Sequence, residues 1–249
     1  DLDVMIMGIM YDADIPWILE HGIEFFVYDY KRLKRIHKIT EREGKQAKIH
    51  IEVETGTNRT GMDVRDIPKA IEFVKRHSDE LKLMGVCTHL GGAESFSNRF
   101  RIDRQIDRFN SLKKQFEKSG LSPEYYHIAC SASALAYPET VMDMVRIGIS
   151  QYGFWPSREI YHHHLLQTNK RQASPFRRVI TWKTNVMDIK SIDKGDFVGY
   201  GTAFQAYRPM KIAVLPLGYA NGYSRQLSNK GHVLIRGHKA PIVGLINMN

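Results

Sequence analysis

The sequence predicts an α/β protein: a parallel sheet covered by helices, followed by a separate all-β domain. Two observations carry this. Through residue 157, short and nearly continuous apolar runs alternate with longer amphipathic segments, which is how parallel strands buried on both faces read. From residue 178 onward apolar and polar residues alternate, with turns rich in Gly, Asp and Lys, as in antiparallel strands.

Taken in order, the apolar runs are residues 4–8, 24–28, 48–53, 83–89, 126–130 and 144–149. Between them, residues 67–77 and 100–118 carry apolar stripes at helical spacing. About six β/α units result. A closed barrel of this class has eight strands, and six cannot close with the usual tilt and shear. An open, doubly wound sheet accommodates the same pattern. Residues 158–174 are polar and include three consecutive histidines at positions 162–164. No Cys or acidic partner sits at ligand spacing, so they predict an exposed connector and no metal site. The β-type runs that follow are residues 179–182, 184–189, 211–215, 232–235 and 241–244. The domains are therefore expected at 1–174 and 175–249.

The chain has 249 residues, 43% hydrophobic and 25% charged, as in ordinary globular proteins. No apolar run approaches the ~20 residues of a membrane span, and no cleavable signal is visible, so no membrane partner is expected. The two cysteines, Cys87 and Cys130, lie in strand-like runs. They read as reduced core residues, which favours the cytoplasm. A net charge of +9 raises nucleic acid as a partner. The densest basic stretch, residues 31–38, has Leu33 and Ile36 at helical spacing, so it reads as the wet face of a helix. With no aromatic–basic pattern or zinc spacing beside it, no nucleic-acid partner is expected.

Residues 143–153, Asp-Met-Val-Arg-Ile-Gly-Ile-Ser-Gln-Tyr-Gly, read as a buried strand that carries Arg146 into a glycine turn. Burying an arginine is costly unless an anion or hydrogen-bond acceptor meets it. The backbone around Gly148 suits a phosphate. Just upstream, His127-Ile-Ala-Cys-Ser-Ala132 is another short strand ending in small and hydroxyl residues. Taken singly, Ser131 reads equally as a helix N-cap and His89 as a core histidine.

Together with Thr55-Gly-Thr-Asn-Arg-Thr-Gly61, Thr88-His89, Gly199-Tyr-Gly-Thr202, Gly218-Tyr-Ala-Asn-Gly-Tyr223 and Asn247-Met248, these segments resemble the alanine racemase family, in the family's order and over nearly the whole chain. The resemblance implies a partial (β/α)8 TIM-type barrel, with about six of eight strands present and the first two lying before Asp1, then an incomplete β domain. It implies pyridoxal phosphate as cofactor, an amino-acid substrate and a head-to-tail homodimer. Ser131, Gly148 and Ile149 would hold the cofactor phosphate. Arg146 would donate to the ring nitrogen; a guanidinium does not readily give up its proton, so the cofactor stays a weaker electron sink, which suits racemisation over transamination. Arg59 would sit near the cofactor's phenolic oxygen and the substrate carboxylate. Met248 would contact that carboxylate from across the dimer, and Tyr219 would line the entrance.

Racemisation needs a base on each face of the substrate. Tyr200 matches the family's tyrosine, with His89 and Arg146 as its implied tuning partners, since a phenol with a pKa of ~10 is a poor base near neutrality. The other base is the family's cofactor-bearing lysine, expected in a strand upstream of this chain. Lys48 and Lys82 lie at the wrong ends of their strands. Glu52 occupies the place of a lysine that the family often carbamylates, where its carboxylate would balance Arg59. The implied activity is interconversion of L- and D-alanine, supplying D-alanine for peptidoglycan. Rival readings are a serine or broad-specificity racemase and a non-catalytic PLP-binding module.

Overall fold

Five of the six apolar runs in the first part of the chain become strands. In the computed structural model, which describes residues 2–168 and 174–249, they are β1 (Met5–Ile6), β2 (Glu24–Val27), β3 (Ala47–Glu52), β4 (Leu81–Cys87) and β5 (Tyr125–His127). All pair in parallel, in the order β1-β2-β3-β4-β5. Sequential order is that of a barrel wall. A doubly wound sheet reverses direction partway along, and this one does not.

Helices connect the strands. Helix α1 (Ile15–Glu20) precedes β2, and α2 (Tyr30–Glu43) starts where Asp29 Oδ1 accepts the Arg32 N–H at 2.7 Å. It stops at Gly44, whose φ of 60° is the left-handed conformation that glycine adopts without cost. Leu33 and Ile36 are fully buried while Lys31, Lys34, Arg35 and Lys38 stay exposed, so the basic run is the solvated face of this helix. Helices α3 (Ile67–Arg76) and α4 (Arg99–Ser119) fall where the periodicity places them. Ile102, Ile106, Phe109, Leu112 and Phe116 of α4 form a single buried stripe. The short α5 (Ser131–Ala136) follows β5, with Cys130, not Ser131, as its N-cap.

Two expectations fail here. Residues 144–149 are not a buried strand: only an isolated bridge joins Arg146 to Cys130, and Val145, Ile147 and Ile149 are 39–49% exposed. The Asp143 carboxylate takes the Tyr126 N–H at 2.7 Å, where a paired strand would have offered a carbonyl, and the segment curls into a 3-10 turn at Ile149–Tyr152. The count of about six strands is thus five strands and one bridge. The histidine-rich stretch is no bare connector. It forms α6 (Arg158–Gln167), capped by Ser157, whose hydroxyl accepts the Ile160 N–H at 3.1 Å. His163 packs on Phe96 and His164 on Trp155. Residues 169–173 of that stretch lie outside the described residues.

The structure separates into two units, Asp1–Val179 and Ile180–Asn249. The second contains two antiparallel pairs, β6 (Asp188–Ile192) with β7 (Met210–Val214), and β8 (His232–Ile235) with β9 (His238–Pro241). Arg236 and Gly237, both at positive φ, make the two-residue turn between β8 and β9. Residues 179–182 form no strand, and the runs expected at 184–189 and 241–244 become ladders only at 188–192 and 238–241. Among the described residues no strand pairs with 179–186, so the alternation there has no ladder to enter. No helix among the described residues is long and apolar enough to cross a membrane.

Candidate active site at the strand ends

At the C-terminal ends of β3, β4 and β5, where β/α barrels place their chemistry, the first unit opens a cavity of about 1060 Å³. Glu52, Arg59, His89, Ser131, Arg146, Gly148 and Ile149 line it. Every candidate site residue of the first unit therefore reaches one mouth.

The walls hold each group for a local reason. The Thr55 and Thr88 hydroxyls join at 2.8 Å, tying the end of β3 to that of β4, and Thr88 also donates to the Val53 carbonyl at 2.8 Å. The loop from 53 to 62 closes through a Val53–Met62 bridge over Gly61. Gly61 has φ 126°, and a Cβ there would meet the Glu54 backbone nitrogen at 2.7 Å. From α4, Arg108 and Arg101 donate to the Thr55 and Gly56 carbonyls at 3.0 and 2.9 Å. Arg59 projects from this pinned loop, and no ion pair links it to Glu52. The expected balance between the two is a shared cavity, not a contact.

Arg146 is held by carbonyls. Nη2 donates to Thr88 O at 2.6 Å and, at the limit, to Ile128 O at 3.5 Å. Nη1 donates to His127 O at 2.9 Å and to His127 Nδ1. Among the described residues only Nε–H has no protein acceptor. Ser131 Oγ accepts the N–H of Gly148 at 3.0 Å and that of Ser150 at 3.5 Å, bringing the two predicted segments together. A Cβ on Gly148 would meet nothing within 4 Å, so the backbone there is open to a ligand. Burial, then the charges of Arg59 and Arg146, hold the His89 imidazole below its ordinary pKa and neutral. A hydroxyl beside uncovered glycine backbone, a free arginine N–H and a neutral histidine together suit an anionic, heteroaromatic ligand.

Sequence reasoning left His127 without a role, although it lies in a quoted motif two residues before the Ala129-Cys130 step. Cys130 also lines the mouth and is only half-buried, so it is no core residue. Cys87 is one, and burial pushes its thiol up. Lys48 and Lys82 sit at the N-terminal ends of β3 and β4, and Lys82 pairs with Glu124 at 2.6 Å. No lysine lines the mouth among the described residues.

Tyr200, Tyr219 and Met248 belong to the second unit. Tyr200 is 74% exposed at the tip of a tight turn, between Gly199 and Gly201, each at φ 71°. The Tyr219 N–H donates to Asn247 O at 3.0 Å and the Ala220 N–H to Met248 O at 2.9 Å. Gly218 permits this, since a Cβ there would lie 2.1 Å from Asn247 O. The Gly-Tyr-Ala-Asn-Gly and Asn-Met motifs are thus neighbours. Away from the mouth, His37, His77 and Glu80 bring potential metal-ligand atoms together. His37 Nε2 stands 3.9 Å from Glu80, wider than the ~3.4 Å of a tetrahedral zinc site, and the two rings pack on each other.

A parallel barrel wall with its cavity at the strand ends defines a β/α-barrel domain, in a chain that also carries a β unit. The chain belongs to the alanine racemase family. Residues 1–156 match the family's alanine racemase N-terminal domain and residues 179–249 its C-terminal domain. It is 34% identical over 251 residues to an alanine racemase of Clostridium novyi, covering 99% of this chain and 61% of that protein. The fold matches the crystal structure of alanine racemase from Streptomyces lavendulae with a TM-score of 0.88 and 26% identity, over 100% of this chain and 63% of that one. It also matches that of Bartonella henselae with covalently bound pyridoxal phosphate, with a TM-score of 0.79 and 25% identity, over 100% and 64% of the two chains. The chain spans about three fifths of the length of the curated relatives it matches.

Proposed function

We propose that the protein carrying this chain is a pyridoxal-phosphate-dependent racemase that interconverts L- and D-alanine. The observation that carries this is the mouth itself: the Ser131–Gly148 pair and the Arg146 Nε–H converge on one cavity beside a neutral His89. The residues fit the cofactor. Ser131 Oγ and the backbone of Gly148 and Ile149 would hold its phosphate, and Arg146 Nε–H would donate to its ring nitrogen. When bound, pyridoxal phosphate withdraws electrons from the amino acid and makes its α-proton acidic.

The chain's residues do the rest. Arg59 orients the substrate carboxylate, a task suited to a planar, always charged donor. Tyr200 takes the α-proton of the L-enantiomer, and a lysine supplied outside residues 1–249 takes that of the D-enantiomer. Neutral His89 offers the phenol a hydrogen-bond partner without adding charge. Tyr200 and Met248 act on the neighbouring chain's mouth in a head-to-tail homodimer, with Tyr219 at the entrance. Glu52 keeps the field around Arg59 from becoming purely positive. We place the protein in the cytoplasm, supplying D-alanine for peptidoglycan.

The test is a racemisation assay of the full-length protein over alanine, serine and larger amino acids. Turnover of alanine above the others is expected. Preference for serine assigns the rival substrate, and no turnover of any amino acid refutes the proposal.

A further inference from the structure

His50 of β3 and His127 of β5 are fully buried in the barrel wall, and holding an anion at the mouth requires neither. They are linked in a line. His50 Nε2 lies 2.6 Å from Glu24 Oε2, His50 Nδ1 lies 2.9 Å from His127 Nε2, and His127 Nδ1 meets Arg146 Nη1. A guanidinium nitrogen only donates, so His127 Nδ1 accepts. A neutral imidazole has one donor and one acceptor, so His127 carries its proton on Nε2 and gives it to His50 Nδ1. His50 then carries its own proton on Nε2, facing the carboxylate. One arrangement satisfies all four groups, with both rings neutral. Burial first, then Arg146, holds His127 far below its ordinary 6.5, and burial outweighs Glu24 in lowering His50.

The fold makes room for this line. The β3–β4 register slips between Ile49 and His50, so that His50 pairs with Gly85 and Met84 is skipped. A Cβ on Gly85 would come within 2.1 Å of His50 Nδ1, so a side chain there would displace the ring. Phe26 packs against both imidazoles, with ring centroids 6.0 and 5.9 Å away. Glu24 opens β2 at the end of the sheet opposite the mouth, its side chain 17% exposed. Among the described residues, Arg146 has only carbonyls and His127 as protein acceptors. Its connection to a carboxylate runs through the two rings.

We propose that Glu24, His50 and His127 are positioning residues whose hydrogen bonds, polarised from the far end of the barrel, fix the Arg146 guanidinium so that its Nε–H faces the mouth. The Glu24 carboxylate accepts and cannot donate, so it anchors from the far end the bond direction that the donor-only Arg146 sets at the near end. Without it the rings can turn to the opposite tautomers, and His127 then presents an N–H to an arginine N–H. This deepens the racemase reading, on which the role of Arg146 at the cofactor rests, but the line can be tested without cofactor.

The experiment is 15N NMR of histidine side chains in the cofactor-free full-length protein, for wild type, Glu24→Gln and Glu24→Leu. In wild type both rings are expected neutral, with the proton on Nε2, at pH 7. Glu24→Gln keeps an acceptor oxygen and preserves that pattern, whereas Glu24→Leu mixes the tautomers. After loading with pyridoxal phosphate, Glu24→Leu should lower kcat for L-alanine on the order of ten- to a hundredfold, the range seen when outer groups stop orienting a functional one, and Glu24→Gln should restore most of it. A wild-type ring that is protonated, or carries its proton on Nδ1, overturns the proposal whatever the activity. So does Glu24→Leu with unchanged tautomers and unchanged kcat. A wild-type protein that does not racemise alanine refutes the racemase reading, while the spectra still decide the line.

Discussion

Ser131→Ala removes a side chain that joins two segments of the mouth. Its hydroxyl accepts from the N–H groups of Gly148 at 3.0 Å and Ser150 at 3.5 Å. Water can replace it at exposed Gly148 but less readily at buried Ser150. The cofactor-free protein should therefore lose only about 1 kcal/mol, the net worth of an ordinary hydrogen bond. Towards a phosphate the same hydroxyl donates to a charged group, worth about 1.5–3 kcal/mol. At about 1.4 kcal/mol per tenfold, that is a rise in Kd for pyridoxal phosphate of roughly 10- to 150-fold. Spectrophotometric titration of the full-length apoprotein reads the Kd, and thermal unfolding reads the stability. Ser131→Thr keeps a hydroxyl and should recover most of the affinity. An unchanged Kd in Ser131→Ala would show that the phosphate lies elsewhere.

Three further outcomes follow from the structure. Gly61→Ala forces a side chain into left-handed backbone, with Cβ 2.7 Å from Glu54 N; urea unfolding should register a loss of about 1–3 kcal/mol, and the displaced Arg59 loop should raise KM for alanine. His50 and His127 bind protons less readily folded than unfolded, so the stability they contribute is complete above pH 6.5 and is lost as pH falls below it. Each should contribute a slope of up to about 1.4 kcal/mol per pH unit, and urea unfolding at pH 7, 6 and 5 should find a shallower slope in His127→Asn. Finally, mixing full-length Tyr200→Phe with a variant lacking the cofactor-bearing lysine should partly restore activity, because one of the two sites in a mixed dimer collects both defects; no recovery despite proven subunit exchange would place both bases in one chain.

The barrel wall was legible because β2 and β4 are near-continuously apolar and β3 carries Ala47, Ile49 and Ile51 in alternation, and α4 because its five buried apolar residues recur at helical spacing. Residues 144–149 look the same but are half-exposed: apolarity there marks the rim of a cavity, and Asp143 intercepts the pairing. Helix α6 was hidden because only Ile160 is buried on it, and its histidines find aromatic partners that no periodicity announces. In the second unit, alternation placed 211–215 and 232–235 on their strands within one residue, but the partner runs at 184–189 and 241–244 slipped by three or four. The mouth was readable as motifs because loops carry its groups in short, contiguous stretches. The line behind Arg146 was not, since His50 and His127 are 77 residues apart and meet only through a register slip opposite Gly85.

The two-base assignment of Tyr200 is tested most directly by solvent exchange of the α-proton in full-length Tyr200→Phe. Phenylalanine keeps the ring and removes only the hydroxyl, and loss of a general base costs about 10²–10⁴-fold. Racemisation should fall in both directions, since each direction uses both groups. In deuterium oxide, exchange should persist from D-alanine with retention of configuration and be lost from L-alanine. Equal loss from both enantiomers would contradict the account, making Tyr200 a group that holds the site together and not the base on one face.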